Sequence, residues 1–479
     1  MKERLGAGTA AVYGALMGSV FLLAAPWFAP GGGYGGLTQL KLLLYAGLTA
    51  LFLLLAAPSL PAPRKFFRGG GGALRAIVLL YLAWSLVSAL ASPWRSAALL
   101  GGSRGEGFLT LGLYALSCLI LSAVGRPGKA QLIAFAAGTA ALSLICILQL
   151  RGHDPLGLYP PGLGWADANL RYAGSYLGTT GNAGQTGAVL CTAAALFLLC
   201  ILRRGGLTWL LALPLAGACY VLGRMGVTAA VAALLALLLL ALPAFVRRLR
   251  HLARALALYP LVLAALFLNV MTPESWALFL FSAAAAYFLA RFGPGDRPVR
   301  AWMWALSGAA AAVGLLYIYT YQGWRQPLRE AAALLHGEAA DSFGSGRLYI
   351  WRQVLTAVWE RPLLGGGPDT LGLRGLAPYV WRSGETGKLV SSAIDAAHCE
   401  YLQTLVCQGI PAALCHLALP LLALWRFFRA GGRPAGVCAG AALCYGIQAL
   451  FGISMCAAAP LFWILLGYAE NLNGKEAAP

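Results

Sequence analysis

Charge is scarce in this 479-residue chain: 11% of the residues are Asp, Glu, Lys or Arg, against 60% hydrophobic. That leaves too little polar surface to clothe a soluble globule of this length, which excludes a fold built around one aqueous core. Acidic groups are the scarcest, with 16 Asp and Glu against 35 Lys and Arg, and none lies at the centre of an apolar run. Proton-coupled carriers keep carboxylates at mid-membrane depth, so a carrier is disfavoured. The eleven Cys form no CxxC pair and lie mainly in apolar runs, where a thiol behaves as a small hydrophobe. Neither a disulfide framework nor a cysteine metal site is indicated. No small-residue cleavage site follows the charged start, so the first apolar run is expected to be retained.

What is present is a succession of apolar runs of roughly 16 to 22 residues, near the length needed to cross about 30 Å of hydrocarbon. Fourteen candidate spans run from 9–28 to 457–470. The pairs 207–222/226–246 and 435–454/457–470 each read as a hairpin or as one broken helix. The expected fold is therefore all-α, a polytopic membrane protein with about 12–14 transmembrane helices and one large external loop containing amphipathic helices. Residues 1–320 form the N-terminal bundle, 321–397 the external loop, and 398–479 the C-terminal helices of the same domain. The net charge of +19 falls largely in alternate loops such as "PAPRKFFRGGGGALR", "RRLRHLAR" and "RFFRAGGRP". By the positive-inside rule these loops and both termini are cytoplasmic, so the basicity needs no nucleic-acid partner.

The polar motifs concentrate on the opposite side. "AIDAAHCEYLQTLVCQGI" sets His398 and Glu400 at the mouth of a membrane helix, where an unpaired charge is costly. A neutral imidazole there serves as a general base, as a donor to a leaving oxygen, or only as an interface anchor. In "GSGRLYIWRQVLTAVWERPLLGGGP", Ser345 is a candidate N-cap of an amphipathic surface helix ended by Pro362, with Arg347 in its first turn and Arg352 further on, facing lipid headgroups or a substrate phosphate. "LLGGGPDT" reads as a flexible turn; it lacks the Lys and Ser or Thr of a P-loop. Arg224 in "LGRMG" interrupts two apolar runs and needs an anion, either a loop carboxylate or a phosphate. Arg104 and Glu106 in "SRGEGF" form a self-paired loop or contribute to a site, and Tyr159, Trp165, Tyr172 and Tyr176 stack on sugars or form an interfacial belt. Asp395, His398 and Glu400 are too crowded for a complete metal shell.

Taken together these features resemble the O-antigen ligase and Wzy-type polymerase superfamily of bacterial membrane glycosyltransferases. "HCEYLQTLVCQGI" is similar to the family's closing pattern at His398, Tyr401, Leu402, Gly409 and Ile410; "LGRMG" resembles its Ser-Arg-Gly segment, and "GTTGNAGQTG" its segment around Asn182. Cys399 stands where Asn is common, Cys407 where Glu is common, and Gly223 where Ser is usual. The resemblance implies a metal-independent and cofactor-free transferase in the bacterial cytoplasmic membrane, moving a glycan from undecaprenyl pyrophosphate to a glycan, lipid or protein acceptor on the external face. It implies His398, Arg347 and Arg224 as catalytic residues, with Arg104, Asn182, Arg352, Glu400 and Tyr401 binding substrate. A lipid-linked saccharide flippase or polysaccharide exporter is the contrasting reading; it needs a polar cavity traversing the membrane.

Overall fold

A computed structural model describes residues 2–25, 33–62, 66, 72–167, 175–268, 273–382 and 389–476. Tyr172 and most of the basic loop before residue 72 lie outside these. The chain opens with α1 (Lys2–Leu16), extended by a π-helical turn at Met17–Phe21, and continues through α2 (Leu37–Ala56), α3 (Gly72–Leu90), the short α4 (Arg95–Leu100), α5 (Phe108–Val124) and α6 (Lys129–Leu150). Strands β1 (Tyr176–Leu177) and β2 (Gly181–Asn182) pair just before α7 (Ala183–Arg204), followed by α8 (Ala212–Met225), α9 (Thr228–Phe245), α10 (Leu249–Phe267), α11 (Pro273–Phe292) and α12 (Arg300–Tyr319). The large loop carries α13 (Gln326–Leu335), α14 (Phe343–Glu360) and an antiparallel hairpin, β3 (Tyr379–Arg382) with β4 (Leu389–Ser392). Helices α15 (Glu400–Ala430), α16 (Pro434–Gln448) and α17 (Ala459–Glu476) complete the fold.

In lipid every backbone polar group must find its partner within the protein, so the apolar runs become helices. Each of the fourteen runs contains one, and both doubtful pairs are two separate helices. Among the described residues, ten helices are long and apolar enough to cross a membrane, with Phe108–Val124 and Phe279–Phe292 apolar but shorter. With those two the count is twelve, within the expected twelve to fourteen; of the other two helices, α1 is short and α17 ends in a polar tail around Glu470 and Asn471. Helix α7, buried along nearly its whole length, is the centre of the bundle. A buried ion pair between Arg426 of α15 and Glu470 of α17 ties the C-terminal helices together. Such a pair costs desolvation, and removing one partner strands the other charge.

The loops sort by end. At one end Arg254 Nη1 donates to the carbonyls of Leu202 (3.2 Å) and Arg203 (3.1 Å), Arg203 Nε donates to Gly432 O (3.0 Å), and Arg248 pairs with Asp296. Basic segments far apart in sequence thus meet on one side. The other end gathers residues 101–107, 345–347, 366–370, 395–399 and 451–456.

The glycine-rich stretch after α14 is no flexible turn. Gly409, at φ 83° within α15, and Pro411 beyond it break that helix and free the carbonyls of Val406 and Cys407. These accept the N–H groups of Gly366 (3.3 Å) and Gly367 (2.6 Å). A Cβ at Gly409 would lie 1.9 Å from Leu363 O, so only glycine allows the approach. Helix α3 and the turn after it clasp the same segment: Trp84 Nε1 donates to Leu363 O (3.0 Å), Ser88 Oγ to Leu364 O (2.6 Å), and, beyond the helix, Ser92 Oγ to Gly366 O. The loop's last stretch before Asp369 is thereby fastened to the membrane bundle.

Candidate functional site

Asp369 follows that fastened segment at φ 55°. One oxygen of its carboxylate accepts the N–H groups of Gly102 (2.7 Å), Arg104 (3.1 Å) and Glu106 (3.1 Å). Burial raises the Asp369 pKa, and the three N–H donors oppose that rise. The loop so held carries Arg104, whose Nη2 pairs with Asp395 at 2.7 Å and whose Nη1 lies 4.0 Å from the Met455 sulfur. Arg104 and Glu106 are therefore not a self-paired couple. Glu106 accepts from Tyr114 (2.7 Å) and Ser454 (3.0 Å), and burial pushes its pKa up to about 7.

His398 is half-buried three residues beyond Asp395, in the left-handed region at φ 50°. A non-glycine residue there costs roughly 1–2 kcal/mol, a strain that the surroundings must impose. They do so through Ala397, whose N–H donates to Gln403 Oε1 (2.8 Å) and whose carbonyl accepts from Trp351 Nε1 (2.9 Å). Burial lowers the His398 pKa to about 4, helped by the nearby charges of Arg347 and Arg104 and opposed by Asp395. The imidazole is neutral at physiological pH.

Arg347 begins the regular part of α14. Gly344, Ser345 and Gly346 all have positive φ, so the expected N-cap at Ser345 is instead part of a left-handed break. The break turns the Arg347 guanidinium back onto Gly344 O, with Nη2 3.5 Å from Phe451 O. Burial lowers the Arg347 pKa. The Nε–H groups of Arg347 and Arg104 are both buried without a hydrogen-bond partner among the described residues.

The other candidates separate from this centre. Glu400, the first residue of α15, is buried and accepts from Tyr445 (2.9 Å), while Tyr401 donates to Gly446 O (2.6 Å). Arg352 forms an exposed ion pair with Asp341. Asn182 caps α7, accepting the Gly184 N–H at 2.8 Å. Arg224 is exposed in the last turn of α8. Its neighbour Met225 packs near Gly187 of α7, and Gln185 of α7 donates to Ile453 O (2.6 Å), so the end of α8 that carries Arg224 lies at the same end of the bundle as the 451–456 segment. Tyr159 and Tyr176 pack around Tyr34, ring centroids 5.1 and 5.3 Å away, in a small interior cluster.

A cavity of about 50 Å³ lies beneath the centre, lined among others by Arg104, Glu106, Asp369, Glu400, Cys407 and Ser454. Tyr81, His416 and Trp463 pack ring against ring at its deep end. Among the described residues no three His, Cys, Asp or Glu side chains converge as a metal shell. Asp369, Ser454 and Met455 were missed in the sequence. Asp369 carried a signal, a lone carboxylate directly after Gly-Gly-Gly-Pro; the short link between α16 and α17 carried none.

Fold and site define a polytopic membrane protein with a cluster of charged and polar side chains gathered at one end of a helical bundle. Residues 260–417, which are 158 of the chain's 479, match the family model described as O-Antigen ligase. The match bears out the resemblance to the O-antigen ligase and Wzy-type superfamily and supports a glycan-transferring, ligase-like function. It spans Arg347, Asp369, Asp395, His398 and Glu400. A comparison with curated proteins gives no match.

Proposed function

We propose that the protein transfers a glycan from undecaprenyl pyrophosphate to an acceptor hydroxyl on the external membrane face, without a metal. The observation that carries this reading is the pair of guanidinium groups, Arg347 and Arg104, each with a buried, unpartnered Nε–H, beside a neutral His398. Although Arg104 also pairs with Asp395 and Arg347 bonds two carbonyls, the free Nε–H of each suits an anion, and guanidinium suits a phosphate.

In this reading the unprotonated ring nitrogen of His398 takes the proton of the acceptor hydroxyl. The acceptor oxygen bonds to the sugar's anomeric carbon as its bond to the pyrophosphate breaks. The bonding pair leaves with the pyrophosphate, whose growing charge Arg347 and Arg104 stabilise, and Arg224 at the same end of the bundle adds a further contact. Glu400 and Tyr401 hold the start of α15 in place below His398. The family match supports the lipid-linked donor class and a glycan acceptor; the basic loops gathered at the far end support cytoplasmic termini and an external site. A cysteine introduced at Gly337 should react with an impermeant reagent from the external side. Against a flippase stands the cavity's position, beside the external rim with aromatic rings beneath it.

The test is transfer by purified protein with a defined lipid-linked donor and candidate acceptors, read as product length. Wild-type protein that moves donor across a bilayer but joins no glycan would replace the transferase reading with the flippase one.

A further inference from the structure

The hairpin of the external loop carries aromatic side chains that the reaction centre does not use. Tyr379 and Trp381, two residues apart on β3, share a face and stack with centroids 5.3 Å apart and planes 20° apart. Tyr349 of α14 extends the row, its ring 5.4 Å from that of Tyr379. The row begins at the centre itself. Gly346, at φ 89°, lies so close beneath Tyr379 that a Cβ there would sit 2.6 Å from its ring. The next residue is Arg347. At the far end Trp381 is 38% exposed, unlike the inward-packed Tyr159 and Tyr34.

We infer that Tyr349, Tyr379 and Trp381 form a saccharide subsite, which stacks on pyranose rings of the glycan handled at the Arg347–His398 centre. This rests on the glycan-transfer reading above. The sugar bonded to a pyrophosphate held by Arg347 lies one bond from the anion, and Tyr379 packs on the residue immediately before that arginine. A pyranose presents a face of C–H groups with hydroxyls at its edge. An aromatic face, negative at its centre, receives the first, and phenol and indole rims bond the second. The same chemistry fits the donor's saccharide or the acceptor's.

The experiment uses the full-length protein in lipid nanodiscs as wild type, Trp381→Leu, which keeps apolar bulk but loses the ring, and Trp381→Phe, which keeps a ring. Three probes are titrated: undecaprenyl pyrophosphate carrying its saccharide, the same lipid without saccharide, and a free acceptor oligosaccharide read by aromatic fluorescence. Trp381→Leu should weaken one of the two saccharide probes about tenfold, the loss of a single stacking contact, and leave the bare lipid unchanged. Trp381→Phe should recover most of the loss. The probe that weakens identifies the donor or the acceptor as the source of the ring. An equal loss on the bare lipid, a loss that Phe does not recover, or no loss on either saccharide probe would overturn the subsite and leave the row an interfacial belt. If wild-type protein binds the bare lipid no better than a neutral polyprenol, the anion reading fails instead, and the free-oligosaccharide titration still decides the subsite.

Discussion

A single carboxylate oxygen of Asp369 holds the backbone N–H of Arg104 at 3.1 Å, across 265 positions of sequence. The bond joins the large loop to the short connection between α4 and α5, and the same oxygen also holds Gly102 and Glu106. Asp369 thereby sets where the Arg104 guanidinium meets Asp395. Asp369→Ala leaves these N–H groups without an acceptor, at about 1–3 kcal/mol for each one that water cannot reach. A lower melting temperature in detergent and reduced transfer are expected. Asp369→Asn, whose amide oxygen still accepts, should recover much of the stability. Equal stability of the Ala variant and wild type would show that the loop is held by other contacts.

His398→Ala should reduce turnover on the order of a hundredfold while donor binding stays near normal, as for loss of a general base. Its pKa, lowered by burial first and by Arg347 and Arg104 next, places the acid limb of kcat/KM near pH 4 instead of the usual 6.5. The stability linkage has the same direction. The folded imidazole binds its proton less readily than the unfolded one, so its contribution is complete above about pH 6.5 and declines as pH falls through about 4. A wild-type rate in His398→Ala would reduce the residue to an interface anchor.

Lysine substitutions separate the arginines. Arg347→Lys and Arg104→Lys keep the charge but lose the forked donor, so donor affinity and transfer should both fall strongly with normal membrane insertion. Arg224→Lys is expected to weaken donor binding. Arg352→Lys should stay within about twofold of wild type, because its partner Asp341 is a surface group and such pairs are worth at most about 1 kcal/mol. Donor-lipid affinity and single-turnover transfer distinguish the four. A loss in Arg352→Lys as large as in Arg347→Lys would move the donor site outward along α14.

Transfer should retain its full rate in EDTA. Asp395 is engaged by Arg104 and Glu400 by Tyr445, so the carboxylates flanking His398 in sequence are directed to different partners. A rate lost in EDTA and restored by Mg²⁺ or Mn²⁺ would require these side chains to regroup around the ion.

The membrane helices, their order and the position of the large loop were legible in the sequence, because a bilayer demands long apolar runs with internally bonded backbone and the chain supplies fourteen of them. His398 and Arg347 were legible as polar groups at the mouths of apolar segments, and the resemblance drew attention to the same residues. What the sequence could not tell was which charges meet. Arg104 was open to pairing with Glu106 or to a site, and it reaches Asp395; Arg352 was open to lipid headgroups or a substrate phosphate, and it pairs with Asp341. Ser345 appeared to cap a helix that begins with a left-handed break. The glycine-rich segment appeared free, although a broken helix offers it two carbonyls and α3 clasps it from the side. Hydropathy is a property of each run alone and survives without the rest of the chain. Pairing depends on distances between loops hundreds of residues apart, and those exist only once the bundle has brought its ends together.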